Sequence, residues 1–312
     1  MNIDIKFLDN QIGKTNMLFV GSVGLDQRWH QAISAISENR IDYVFMLESG
    51  DISDPEKLTD LENRYNERFS KLPIASLDAF TLWKRIVEQL VPLINQYSER
   101  TLIDISAINH ESLLILNAIL HEYCLSEKVQ FIYVGAATYS NVISQGVKSI
   151  RSVLSYPGTF LPSKPLHHLV ILVGFEFDRA KELIQELEPT SISLGIGTEA
   201  YGEVLFAENQ RVSEKLQSFI ESIGGAYRNN VNTFTFSCSD VLSAKNSILQ
   251  EVSKYSNSNI TLSPMNTKIS TLAAGAAAIE NDLIKLCYVE PLETSTVNVA
   301  KSGDQVTLFS FS

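Results

Sequence analysis

Residues 168–174 read HLVILVG, followed by FEFDRAKELIQELEP and then SISLGIG. Residues 17–24 read MLFVGSVG, followed by LDQRWHQAISAIS and then, from residue 41, IDYVFML. Both stretches have one grammar: an apolar run, a glycine, a segment with apolar residues at helical spacing, and a second apolar run. The apolar runs do not alternate with polar residues. That marks strands covered on both faces, as in the centre of a parallel sheet. Leu25, Trp29, Ala32, Ile33 and Ile36 recur at helical spacing, and so do Phe177, Ala180, Leu183, Ile184 and Leu187. Strands alternating with such helices predict βαβ units with right-handed crossovers.

The grammar repeats once more in each half. Residues 101–106 read TLIDIS, then AINHESLLILNAILHEY, then VQFIYVGAATYS. Residues 260–263 read ITLS, then PMNTKISTLAAGAAAI, then IKLCYVEPLETS. Gly24 and Gly174 correspond at an offset of 150, Asn109 and Asn266 at 157, and Tyr133 and Tyr288 at 155. Similar offsets in the same order read as an internal duplication, or as two halves of common architecture. The predicted fold class is α/β, with two Rossmann-like halves and mostly parallel sheets.

Between these pieces, a charged segment over 56–69 and an amphipathic one over 77–97 predict helices. The second carries Phe80, Trp83, Ile86, Val87 and Leu90 on one face, with Pro92 as a point of bending. Residues 212–223 predict another helix, stopped by Gly224-Gly225, and 232–236 another strand. The stretch SYPGTFLPSKPLHH (155–168) holds three prolines and a glycine ahead of a fresh buried strand. It predicts a linker, and therefore domains at 1–157 and 158–312. At the C-terminus, VNVA and VTLFSF flank Lys301-Ser302-Gly303-Asp304, which predicts a β-hairpin. That element is open to pairing with either half or with a second subunit.

Composition narrows the function classes. The 312 residues include 25 Lys and Arg against 36 Asp and Glu, a net charge of −11. Basic residues are scattered, so an extended nucleic-acid groove is not expected, while a local pocket for a small anion stays open. The three cysteines, Cys124, Cys238 and Cys287, form no CxxC and predict neither a disulfide framework nor a zinc site. The five histidines show no metal-ligand spacing. No metal and no standard cofactor are expected, since neither GxGxxG nor a Walker sequence follows a strand. The N-terminus lacks a signal-peptide pattern and no apolar run is long enough to span a bilayer, so a cytoplasmic protein is expected.

Open α/β sheets bind ligands beyond the carboxyl ends of their strands. The loops there hold the candidate ligand-binding residues. After the first strand of each half these are Gly24 and Arg28, and Gly174, Glu176 and Arg179. A cation in the first turn of a helix opposes the helix dipole, so Arg179 calls for an anion, either a ligand or the neighbouring Glu176 or Asp178. After the later strands the candidates are Asp104, Ser106 and Asn109, and Asn266, Thr267 and Lys268. Asn266 or Thr267 is placed to cap a helix whose free N–H groups attract anions, with Lys268 adding charge.

The strand, polar loop and N-T-K run at 266–268 resemble the second conserved loop of CARF domains, the Rossmann-like sensors of cyclic oligoadenylates in CRISPR-associated defence. Pro264-Met265-Asn266 stand where that family usually has a glycine pair. The resemblance implies that Asn266, Thr267 and Lys268, with the loop at Gly174, contact a nucleotide. It also implies a sensor role in antiviral defence, with an effector protein as partner; a homodimer is expected separately, since two-fold symmetry would enlarge the site. Two other readings stand beside it. One is a nucleotide- or sugar-phosphate-processing enzyme using Asp104 and Glu111, with or without Mg²⁺. The other is a structural module for protein interaction.

Overall fold

The computed structural model describes residues 1–139, 144–198, 203–223, 230–294 and 300–311. Their strands are β1 (Asn2–Asp4), β2 (Met17–Val23), β3 (Ile41–Glu48), β4 (Phe69–Pro73), β5 (Thr101–Asp104), β6 (Val129–Tyr139), β7 (Ser144–Ser152), β8 (Leu166–Leu172), β9 (Ser191–Thr198), β10 (Val231–Ser237), β11 (Ser258–Pro264), β12 (Ile284–Thr294) and β13 (Ala300–Phe309). The helices are α1 (Leu8–Gln11), α2 (Gln31–Ser34), α3 (Pro55–Tyr65), α4 (Ala79–Tyr97), α5 (His110–Glu122), α6 (Phe177–Leu187), α7 (Glu203–Ile223), α8 (Val241–Ser253) and α9 (Lys268–Glu280). Among the described residues no helix is long and apolar enough to cross a membrane.

The strands form two mostly parallel sheets, one of seven in the order β1-β13-β6-β5-β2-β3-β4 and one of six in the order β10-β9-β8-β11-β12-β7. Counting only the parallel strands of each sheet in chain order, both run 3-2-1-4-5. That is the doubly wound Rossmann arrangement, and its switch point falls between strands 1 and 4. In the first sheet this is the gap between the ends of β2 and β5; in the second it is between β8 and β11. The matched offsets thus fall in corresponding elements of two parallel cores of the same order, although Asn109 caps α5 while Asn266 stands one residue before the α9 cap, Thr267.

By compactness the chain divides into Met1–Asn141 with Ser295–Ser312, and Val142–Thr294. This differs from a division at 157. β7 follows β6 in the chain yet pairs antiparallel with β12, while β13 follows β12 yet pairs antiparallel with β6. Each unit's fifth parallel strand therefore receives its antiparallel neighbour from the other half of the sequence. The proline stretch does not connect the units. Val153 N donates to Leu286 O at 3.0 Å, Leu286 N to Tyr156 O at 3.1 Å, and Thr159 N to Asp282 O at 2.7 Å, all within the second unit. Residues 301–304 lie inside β13, at its register shifts against β6. Part of the expected first hairpin arm, 297–299, lies outside the described residues.

Local physics explains the other elements. In α4, Leu82, Ile86, Leu90 and Ile94 form an i, i+4 ladder that is at most 5% exposed. Full burial of such a side chain stabilises by roughly 1.5–3 kcal/mol. This face is rotated from the expected one: Phe80 is 68% exposed. Pro92 sits inside the helix without ending it. The segment 25–37 is a 3-10 turn over Gln27–His30 and the short α2, not one helix. β4 is a short edge strand between α3 and α4, a region where the sequence predicts only helices. The Gly224-Gly225 stop lies outside the described residues, and α7 begins at Glu203, well before residue 212.

Candidate functional site

The second unit's switch point is built by the loops after β8 and β11. Gly174 follows β8. A methyl group there would overlap the carbonyl oxygen of Met265, so only glycine lets the two loops come this close. Asn266 joins them: its Nδ2 donates to Val173 O at 2.5 Å, and its Oδ1 accepts from Thr267 N at 2.8 Å and from Cys238 Sγ at 3.3 Å. Thr267 is the N-cap of α9, accepting from Ser270 N at 3.2 Å, and Lys268 is the helix's first residue. Behind this end, Ala273, Ala274, Gly275 and Ala277 are buried, so small side chains let α9 pack closely.

Asn209 of α7, which carries no motif in the sequence, completes the crossing. It is 2% exposed. Its Oδ1 accepts from Gly197 N at 3.1 Å, and its Nδ2 donates to Val173 O at 2.5 Å and Gly174 O at 3.2 Å. One amide thus fixes the ends of β8 and β9. Only its apolar neighbours at helical spacing, such as Leu205, Val212 and Leu216, hint in the sequence that this face is buried. Gly197 and Thr198 lie within β9, and Glu199 is outside the described residues.

Arg179 on α6 is largely buried, with 11% of its side chain exposed, and pairs with Glu176 through NH1. NH2 donates to Val289 O, and Ser144 Oγ donates to the other Glu176 oxygen. Glu176, not Asp178, is therefore its carboxylate. Its Nε is buried and has no hydrogen-bond partner among the described residues.

The first unit's switch point carries a different arrangement. Gly24 closes β2 against Ser49, whose hydroxyl donates to Val23 O at 2.9 Å. Arg28, 3% exposed, does not project from this loop. Asp26 grips it by Nε at 3.0 Å and NH2 at 2.6 Å, while NH1 donates to Val134 O at 3.1 Å. Its guanidinium also lies 5.6 Å from the centre of the Tyr133 ring. Across the same strand end, Ser106 Oγ accepts from Val134 N at 2.8 Å and donates to Asp104, whose Oδ1 also takes Ser106 N at 2.9 Å. Asp104 is 2% exposed and its Oδ2 has no hydrogen-bond partner among the described residues. Burial pushes this carboxyl up to about 7, against the opposing pull of Ser106 and Arg28. Asn109 caps α5 by accepting from Ser112 N at 2.8 Å, and Glu111 lies in that helix's first turn.

The structure therefore gathers Gly174, Asn266, Thr267 and Lys268 at one switch point, with Glu176 just before the adjoining helix α6 and Arg179 in its first turn. It gathers Arg28, Asp104 and Ser106 around Val134 at the other. Among the described residues no group of three or more His, Cys, Asp or Glu gathers to hold a metal. Cys287 is buried, which pushes its thiol up to about 11, while Cys124 is exposed. No family model matches the chain, and no curated protein matches its sequence. The class of protein that the described residues define is thus a chain with two doubly wound Rossmann-like units.

Proposed function

We propose that the second unit binds a small phosphorylated nucleotide, or a similar small anion, between the loops after β8 and β11, and that the protein is a sensor of that ligand. The observation that carries this reading is the buried Arg179, which keeps an unused Nε–H donor beside the first of these loops. A buried donor without an acceptor costs about 1–3 kcal/mol, and an anionic oxygen would remove that cost. The capped start of α9 and Lys268 add positive potential at the second loop. The CARF-like run Asn266-Thr267-Lys268 favours a cyclic oligonucleotide within this class, and with it a role in antiviral defence. A thermal-shift screen of mono-, di- and cyclic oligonucleotides tests the reading. At least one should raise the melting temperature of the intact protein without being consumed, and Lys268→Ala should reduce the shift.

The runner-up, a phosphate-ester-processing enzyme, draws on Asp104. A carboxyl that titrates near 7 is matched to proton transfer at neutral pH. On this reading a screened nucleotide is turned over by the wild type and survives intact with Asp104→Ala.

A further inference from the structure

The second unit has a cleft at the other ends of its strands from the switch point. It measures about 380 Å³ and is walled by the proline stretch over Pro157–Pro165 and by the first residues of β8, β11 and β12. That volume lies within the range of small-molecule sites, about 300–1,000 Å³. The wall is held in place. Asn259 accepts from Leu161 N at 2.8 Å and donates to Leu161 O at 3.2 Å and Lys164 O at 2.7 Å, so one amide clasps the loop at its middle and near its end. Gly158 stands at φ +64 with the backbone of Lys285 against it, a position no other residue fills without a shift.

The lining combines two chemistries. Phe160 and Leu166 are 73% and 43% exposed, so large apolar side chains border the cleft while still wet. Exposed apolar surface with a polar rim marks an interaction site. Lys164 and Lys285 are the cations of the same lining, and it contains no carboxylate. Among the described residues neither lysine has an ion-pair partner. In a chain of net charge −11, two unpaired lysines over one apolar cleft are a local reversal of sign. His167 is not a third cation: burial, with Lys285 adding to it, holds its imidazole below the usual range, and Nε2 meets Thr261 Oγ1 at 2.9 Å.

We propose that this cleft is a second ligand site, for a small amphipathic carboxylate. The apolar body lies on Phe160, Leu166 and the prolines, and the carboxylate meets Lys164 and Lys285. Nothing here depends on the switch-point site, which shares none of these residues.

Anilinonaphthalenesulfonate, an aromatic anion, serves as the probe on the intact folded protein, followed by fluorescence. Decanoate and decanol then compete for it, sharing a chain length but not a charge. The expected result is saturable probe binding displaced about tenfold better by decanoate than by decanol, the effect of one charge-assisted contact. The Lys164→Gln/Lys285→Gln double variant should remove the preference for decanoate, and the Lys→Arg pair should keep it. Phe160→Ala should weaken both competitors alike. Both lysines and Phe160 reach solvent, so circular dichroism should show an unchanged fold. Equal displacement by decanol and decanoate, a preference that survives the double Gln variant, or no saturable probe binding would each overturn the proposal.

Discussion

His168 makes the second unit's stability depend on pH. It is fully buried in β8 and stacks on Tyr255 with ring centroids 3.4 Å apart. Its Nδ1 lies 2.7 Å from Ser191 Oγ and its Nε2 3.0 Å from Ser193 Oγ. The Ser193 hydroxyl donates to Glu251 Oε1 at 2.7 Å, so it has only lone pairs left for the imidazole. Nε2 must then carry the proton, and Nδ1 accepts from Ser191. The ring is satisfied as a neutral group, and burial pushes its pKa down from 6.5 to about 4, with Glu251 opposing. The unfolded chain takes up a proton below 6.5 while the folded unit refuses it until about 4. The contribution of His168 is fully present above 6.5 and is lost as pH falls towards 4. At about 1.4 kcal/mol per pH unit the loss reaches roughly 3 kcal/mol. His168→Gln keeps hydrogen-bonding capacity but cannot titrate, so it should lower stability near neutrality and flatten the acid slope. Hydrogen exchange read on peptides from β8, β9 and α8, between pH 7.5 and 4.5 and corrected for intrinsic rates, isolates this unit. Equal opening free energies for these peptides across that range in the wild type, or an undiminished slope in His168→Gln, would show that His168 does not set the pH dependence.

Other outcomes follow from the same contacts. Asp104 carries the opposite sign. Its folded pKa is raised from 3.8 to about 7, so its contribution is largest below 3.8 and declines as pH rises towards 7. Asp104→Asn should remove a decline of up to roughly 4 kcal/mol. Both tryptophans, Trp29 and Trp83, lie in the first unit, so urea titrations followed by their fluorescence would show it. Asn209→Leu strips the amide that bridges β8 and β9 and should cost the second unit about 2–4 kcal/mol, seen as faster exchange at Gly174 and Gly197. Gly174→Ala drives a methyl into Met265 O and should be at least as damaging in the same exchange measurement, whereas Gly13→Ala meets no neighbouring atom and should be near neutral.

The sequence made the strand cores and their order readable because apolar runs such as Leu169–Val173 leave no alternative to a buried parallel strand. The loops were readable for a related reason, since in this topology chemistry falls at strand ends. By residue type and position Asn266 or Thr267 is expected to cap α9 and Thr267 fills that place, whereas Asn109, expected as a ligand-binding residue, caps α5. What escaped depends on contacts distant in sequence. β4 is five residues at a sheet edge with Lys71 in its middle, too short and polar to announce itself. The exchange of β7 and β13 is invisible because antiparallel strands next to each other in the chain ordinarily pair, and nothing local records a partner over a hundred residues away. Arg28 looked available because Asp26 is only two residues off and its bidentate grip requires a 3-10 turn where the periodicity suggested a regular helix. Asn209 escaped because a lone asparagine in an amphipathic helix gives no sign that strand ends converge on it.

Isothermal titration of the intact protein with the nucleotide panel, with Lys268→Ala alongside, reads ligand binding at the second unit's switch point. The expected result is saturable binding of at least one phosphorylated ligand, none by its unphosphorylated nucleoside, and affinity about tenfold weaker in Lys268→Ala for the loss of one charge-assisted contact. Absence of heat with every phosphorylated ligand on folded protein, or binding that Lys268→Ala leaves unchanged, would contradict it.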